Sequence, residues 1–377
     1  MASEQGGRMA IRLPKLMQWF HPSPADPRGT YPEPRVKDLI LFVTDRCNMR
    51  CDHCMFWQRI DNPGQEMTLE ELQTLARTSW PLRTVAITGG EPFLRGDLAG
   101  IVEAFFRDNQ THHVQINTNG LLMDRMEDLV TRDLALHYQH YLTYQVSLDG
   151  LAETHDRVRR LPGSFTKILR NLERLVELMR GHPFFRVVVL TNINKNNYHE
   201  IEELARILWD ETGVEHTYDL VRGASFSTWN IPHAIRQEED PRECDLPPRE
   251  ELESILERIR RVNEREGSRF NQCVRQLEVQ VGLYLGRPAP FYCLSAGRTA
   301  AVVYSDGSVA ACEFTTPFAR LADFDFDLPR LWTSPAAQTR RKQIQCCSCA
   351  HSCFVLTSLQ EWEEQQARHP ASTQAAS

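Results

Sequence analysis

From residue 36 onward, short apolar runs alternate with stretches of helical periodicity. Asp38–Thr44 (DLILFVT) reads as a buried strand; Thr84–Thr88, His113–Asn117, Thr143–Leu148, Phe185–Thr191 and Val214–Val221 read as five more. Amphipathic segments separate them: Leu69, Leu72 and Leu75 behind a capping Thr68, then Leu98, Ile101, Val102, Phe105 and Phe106, a short one near 126–131, a long one over Phe165–Arg180, and one near Tyr198–Glu211. Apolar strands alternating with helices imply parallel strands joined by right-handed crossovers. Six such units are too few for a closed eight-stranded barrel. The fold expected is therefore α/β, an open, partial (β/α)6 barrel of TIM type, with its chemistry at the C-terminal strand ends.

The alternation stops after Gly223. Residues 224–248 are polar and Pro-containing and read as a linker or lid, and Pro248–Glu266 as a charged helix with Leu252, Ile255, Ile259 and Val262 on one face. Thr299–Tyr304 and Val309–Glu313 flank Ser305-Asp306-Gly307-Ser308, the signature of a hairpin. The organisation expected is a Pro-rich arm over 1–35, the partial barrel over 36–235, a linker and helical bridge over 236–290, a small α+β unit over 291–362 and a disordered tail over 363–377.

Composition narrows the classes. A net charge of −7 and a pI near 6.0 give no basic footprint for nucleic acid. No apolar run approaches the roughly 18 residues of a membrane span, and the first 35 residues lack the apolar core of a secretory signal, so a cytoplasmic address is expected. The eleven cysteines are the informative count. They bunch in an early group (Cys47, Cys51, Cys54) and a late one (Cys293, Cys312, Cys346, Cys347, Cys349, Cys353), with Cys244 and Cys273 apart. Such bunching points to metal binding rather than a disulfide framework.

Cys47-Asn48-Met49-Arg50-Cys51-Asp52-His53-Cys54 follows directly on the first strand. Three thiolates leave one iron of a [4Fe–4S] cube open, whereas a closed cube takes four cysteines. A zinc site completed by His53 is the competing reading. With Thr88-Gly89-Gly90-Glu91-Pro92 after the second strand, the pattern resembles the radical SAM superfamily. That resemblance implies a six-unit partial barrel, a [4Fe–4S] cluster on Cys47, Cys51 and Cys54 with S-adenosylmethionine (SAM) at the open iron, and a SAM amino-group site at Gly89, Gly90, Glu91 and Pro92. It further implies SAM contacts from Asn119 after strand three, from Ser147 and Asp149 after strand four, from Arg159, and from His53, where family members often carry a bulky aromatic residue.

The late group resembles the C-terminal extensions called twitch and SPASM domains, which implies one auxiliary [4Fe–4S] cluster. Cys293 and Cys312 flank the hairpin. The Cys-x-Cys-x-His-x-Cys tail adds Cys347, Cys349 and Cys353, giving five candidates for four positions. Cys244 and Cys273 are buried thiols or hydrogen donors to a substrate radical.

The resemblance implies reductive cleavage of SAM to a 5′-deoxyadenosyl radical, which takes hydrogen from a substrate C–H bond. Oxidation of a small-molecule or sugar-like metabolite is the expected outcome, with an electron donor such as flavodoxin or ferredoxin. Redox-neutral epimerisation or radical bond formation, on a peptide or a metabolite, is the alternative. A non-catalytic iron–sulfur carrier or zinc scaffold is a third, against which the Gly-Gly-Glu-Pro string argues.

Overall fold

All seven residues of strand β1 (Asp38–Thr44) are buried, which a strand achieves inside a parallel sheet covered on both faces. Strands β2 (Thr84–Gly89), β3 (His113–Thr118), β4 (Tyr141–Ser147), β5 (Phe185–Ile193) and β6 (Glu215–Leu220) lie beside it in sequential order, every pair parallel. The computed structural model describes residues 31–61, 63–135, 139–222, 231–237, 246–266, 271–289 and 291–368. Most of the arm expected over 1–35 lies outside them, as does Cys244.

Helices α1 (Trp57–Asp61), α2 (Leu69–Thr78), α3 (Leu98–Arg107), α4 (Met123–Ala135), α5 (Ala152–Arg159), α6 (Ser164–Arg180) and α7 (Ile201–Thr212) fill the crossovers. Their apolar stripes enter the core: Leu72, Leu75, Ile101, Phe105, Leu172 and Leu208 are fully buried, each contributing about 1.5–3 kcal/mol by burial. Thr68 starts α2 through a reciprocal capping box with Glu71, its hydroxyl accepting from Glu71 N at 3.3 Å and its own N–H donating to Glu71 Oε2 at 2.7 Å.

The six parallel strands form an open sheet with β6 at one edge, a partial barrel. At the other end, the expected hairpin forms as β7 (Ala300–Val303) and β8 (Ser308–Ala310), followed by β9 (Ala319–Arg320). It does not stand apart. β7 pairs in parallel with β1, from Asp38↔Ala300 to Leu41↔Val303, making one nine-stranded sheet.

In the bridge, α8 (Leu252–Glu266) buries Leu252, Ile255, Ile259 and Val262. The first three share a core with Tyr218 and Leu220 of β6 and with Leu277 and Val281 of α9 (Asn271–Tyr284). Cys273 stands near the start of α9, and its side chain is outside what is described. The chain closes with α10 (Leu328–Trp332), α11 (Pro335–Gln343) and α12 (Ser352–Arg368). Here the structure differs from the expected tail over 363–377: α12 runs on to Arg368. Its acidic face explains why, because Glu361 lies 2.7 Å from Lys37 Nζ and Glu364 accepts from Arg83 Nη1 at 3.3 Å. Among the described residues no helix is long and apolar enough to cross a membrane.

Candidate metal and cofactor site

The loop after β1 is fastened from three sides. Gly90 N donates to Thr44 O at 2.8 Å and Glu91 N to Arg46 O at 2.7 Å, so the end of β2 runs against the start of the cysteine loop. A Cβ on Gly89 would sit 2.2 Å from Thr44 O, and one on Gly90 2.1 Å from Arg46 O. The glycine pair is required by this backbone approach, with Gly89 also at φ +138°. From the third strand, Asn119 Nδ2 donates to Asn48 Oδ1 at 2.7 Å. From the hairpin turn, Ser305 Oγ donates to Asp45 at 2.7 Å.

The candidate residues differ in exposure. Cys47, Cys54, His53, Gly89, Gly90 and Ser147 are partly exposed, whereas Glu91, Pro92, Asn119, Asp149 and Arg159 are buried. The Glu91 carboxylate, expected to accept from an ammonium, turns into the protein instead. It accepts from Asn119 N at 2.8 Å, Thr118 Oγ1 at 2.9 Å and Phe93 N at 3.1 Å, and burial pushes its carboxyl up to about 7. Within the protein, its carboxylate is thus held by three donors from the strand ends around it.

Arg159, expected on SAM, reaches the cysteines. Its Nη1 donates to Cys51 Sγ at 3.6 Å and its Nη2 lies 2.6 Å from Asp149 Oδ2. Asp149 is completely buried after β4; it accepts from Asn192 N at 2.8 Å and lies 3.4 Å from His53 Nε2. Burial opposes its charge, but the Arg159 guanidinium, with His53 and His155, holds the carboxyl below the usual range. Burial and Arg159 push His155 down to about 4. The neutral ring accepts from Asp149 N at Nδ1, 3.0 Å away.

Among the late cysteines, Cys293, Cys347 and Cys349 are linked by hydrogen bonds. Cys293 N donates to Cys347 O at 2.7 Å, the Cys347 thiol donates to Cys349, and Cys293 and Cys312 feel the charge of Cys349. Cys346 is in a left-handed conformation (φ 62°), and its N–H donates to Tyr31 Oη at 3.0 Å. Cys353 is another of the five candidates. Its sulfur lies with Glu313 and His351 ligand atoms inside a 4.8 Å group and accepts from Arg222 Nη2 at 3.7 Å.

Arg222 and Glu313 are the residues that sequence reasoning missed. Arg222 Nη1 lies 3.3 Å from Glu313 Oε2 and 3.3 Å from Sδ of Met55, the residue after Cys54. His351 Nε2 is 2.7 Å from the same carboxylate oxygen. Burial opposes the Glu313 charge, yet Arg222 and His351 hold its carboxyl down to about 2. The signal was positional: Arg222 lies just beyond β6, on the same strand-end face that marked Asn119 and Asp149.

The donor chemistry fits iron–sulfur centres. Burial pushes the Cys47 thiol up to about 12 and Cys312 well above the usual thiol, and the hydrogen bond to Cys349, with burial, raises Cys347 likewise. Such thiols ionise once a cation takes their charge. None of the nine described cysteines is in a disulfide.

An open barrel with a three-thiol loop after its first strand defines a class. Residues 41–208 match the model of the radical SAM superfamily, so this stretch of the chain is a radical SAM domain. The chain is 29% identical over 229 residues to an Fe-coproporphyrin III synthase of Methanosarcina barkeri, covering 60% of this chain and 52% of that one. It is 30% identical over 170 residues to a probable GTP 3′,8-cyclase of Archaeoglobus fulgidus, covering 45% and 54%. The chain thus spans about half the length of these curated relatives. Its fold is similar to that of Streptococcus suis SuiB bound to S-adenosylmethionine, with TM-score 0.58 and 13% identity over 85% of this chain and 73% of that one. It is likewise similar to native anSMEcpe with bound AdoMet and Cp18Cys peptide, with TM-score 0.58 and 16% identity over 88% and 97%. At these identities the structural likeness establishes the fold.

Proposed function

We propose that this protein is a SAM-cleaving radical enzyme that oxidises a small-molecule or sugar-like metabolite with the help of a second, auxiliary cluster. The observation that carries the reading is the three-thiol loop held at the barrel mouth by glycine-dependent backbone contacts. Cys47, Cys51 and Cys54 would hold a [4Fe–4S] cluster with one iron open to SAM. When bound, these groups supply the electron that cleaves SAM and the 5′-deoxyadenosyl radical that abstracts hydrogen from the substrate.

The chain's own residues hold and tune this centre. Arg159 places positive charge on the Cys51 sulfur, and Asp149 fixes the guanidinium in place. His53 and Ser147 offer partly exposed side chains to the adenosine moiety, and the backbone of Gly89, Gly90 and Glu91 offers hydrogen-bonding groups to the amino acid moiety. Asn119 supports the loop through Asn48, and Pro92 follows the glycine pair as the last residue of the motif. For the auxiliary [4Fe–4S] cluster, four protein thiols, Cys293, Cys312, Cys347 and Cys349, would complete coordination, with Cys353 outside it. A fully ligated cluster is suited to taking the second electron of an oxidation.

Support for a small-molecule substrate comes from the curated relatives, whose names specify a coproporphyrin and a guanosine nucleotide.

The test is a pair of variants assayed anaerobically with dithionite and SAM. Cys51→Ala is expected to abolish 5′-deoxyadenosine formation, and Cys312→Ala to retain part of it while losing turnover. Iron should be about eight per wild-type chain and about four in either variant. Undiminished SAM cleavage by the Cys51 variant, or zinc at that loop, would sink the reading.

A further inference from the structure

A lattice of carboxamides lies on the inner face of the open barrel. Val114 and Ile116 of β3, with Leu142, Tyr144 and Val146 of β4, pack into the core shared with the helices. The alternate residues therefore face the other side of the sheet. There Ala86, Thr88, Gln115, Asn117, Gln145 and Ser147 are all partly exposed. Asn117 and Gln145 stand directly opposite each other in register, with Gln115 two residues below Asn117. Gln115 Nε2 donates to Asn117 Oδ1 at 2.9 Å and to Gln145 Oε1 at 3.3 Å, and Gln145 Nε2 donates to Asn117 Oδ1 at 3.2 Å. Each amide is thus held by the other two. Among the described residues, Asn117 Nδ2 and Gln115 Oε1 have no hydrogen-bond partner, so the lattice offers a fixed N–H donor and a fixed carbonyl acceptor to whatever occupies the lumen.

Charge is missing from this surface. Beyond the first two residues of each strand, the inward positions of β2 to β5 carry no charged side chain. On β6 the inward charges are acids, Glu215 and Asp219, and Asp219 accepts from Gln280 Nε2 at 2.9 Å. The arginines beyond the strand ends are already engaged, Arg159 by Asp149 at 2.6 Å and Arg222 by Glu313 at 3.3 Å. An anionic ligand would meet no unpaired cation on these strands.

We propose that the lattice of Gln115, Asn117 and Gln145 is the substrate-holding surface, and that it takes an uncharged polyhydroxylated ring, a sugar or a cyclitol, in preference to a phosphorylated or carboxylated one. The inference rests on the radical-enzyme reading above and sharpens its substrate class. A hydroxyl both donates and accepts, which matches an amide carbonyl and an amide N–H held side by side. A phosphate or carboxylate only accepts, and its strong partners are cations. Because the amides are locked by one another before any ligand arrives, binding does not have to order them. Ser147 stands two residues above Gln145, about 7 Å along the strand. A ring on the lattice therefore lies next to the place given to the adenosine moiety.

The test uses the holoenzyme loaded with SAM and reads the ligand-induced rise of its thermal unfolding midpoint. The probes are glucose, myo-inositol and N-acetylglucosamine, each titrated against its own monophosphate, with glucosamine as the cationic arm. Saturable stabilisation by at least one neutral ring, and none by its monophosphate, is expected. Gln145→Met, close in size, should weaken that neutral ligand about tenfold, with iron content and SAM affinity as checks on folding. Gln115→Met, on the neighbouring strand, should act alike. Gln145→Arg should turn the preference toward the monophosphate, a change that a merely structural glutamine would not produce. The proposal is overturned by stabilisation from the monophosphates or glucosamine alone, or from none of the rings. Equal affinity in wild type and both methionine variants, or an unchanged preference in Gln145→Arg, overturns it too. Failure of wild type to make 5′-deoxyadenosine from SAM and dithionite would instead count against the radical-enzyme reading.

Discussion

Asp149 and Arg159 show how much of this site rests on single buried charges. Replacing Arg159 with Met strands a carboxylate that is completely buried, a change that destabilises by about 3–5 kcal/mol. Anaerobic denaturant unfolding of the holoprotein measures it, and Asp149→Asn/Arg159→Met should recover part of the loss. The two buried acids have opposite pH signatures. Asp149 is held below its ordinary value, so its contribution is present above about 3.9 and fades as pH falls through its lowered folded value. Glu91 is pushed up to about 7, so its contribution is full below about 4.3 and is lost as pH rises through about 7. Glu91→Gln should lower stability throughout, because an amide N–H then faces Asn119 N–H. It should also remove the fall in stability between those two values, read from unfolding midpoints on either side of the interval. The cysteines and strand-end polar residues were legible in the sequence because spacing and position mark them. The protein partners of Glu91 and Arg159 were not. Whether a side chain faces a ligand or the protein depends on neighbours such as Thr118 and Cys51, far away in sequence.

At the scale of elements, the strands were legible because each is an apolar run bounded by polar ends, and the helices because Leu72 and Leu75, or Ile101 and Phe105, recur at helical spacing. What the pattern of residues 300–303 left out was its partner. Ala-Ala-Val-Val reads as a strand, but nothing local says that its neighbour is β1 rather than a strand of its own unit. The glycine pair had the same ambiguity, since close approach to a ligand and to backbone demand the same residue. Gly90→Ala should decide between them. A methyl 2.1 Å from Arg46 O forces the loop away from β2, so the variant is expected to lose the first centre and keep the second. Iron should drop to about four per chain, with the auxiliary signal retained in electron paramagnetic resonance. Intact iron with weakened SAM binding alone would assign the glycines to the ligand.

At the scale of the molecule, the continuous sheet makes the C-terminal unit a structural part of the barrel. Removing everything after residue 290 would strip β7 from β1 and α12 from Lys37 and Arg83. It would expose the edge of an apolar strand all seven of whose residues are buried in the intact chain. Such a truncation is expected to aggregate, as size-exclusion chromatography of the refolded fragment would show; a monodisperse fragment would contradict this.

The same β1–β7 ladder also sets a ruler. The first cysteine loop leaves the top of one strand, and the flanking thiols of the second set are carried at the base of its neighbour, so the separation between the two is counted out in backbone hydrogen bonds. A swinging domain could widen or narrow such a gap to suit a guest; a shared sheet cannot without breaking register. Adapting this scaffold to a larger or smaller guest would therefore fall to the loops at the strand ends, Arg222 foremost, and not to any rocking of one half against the other.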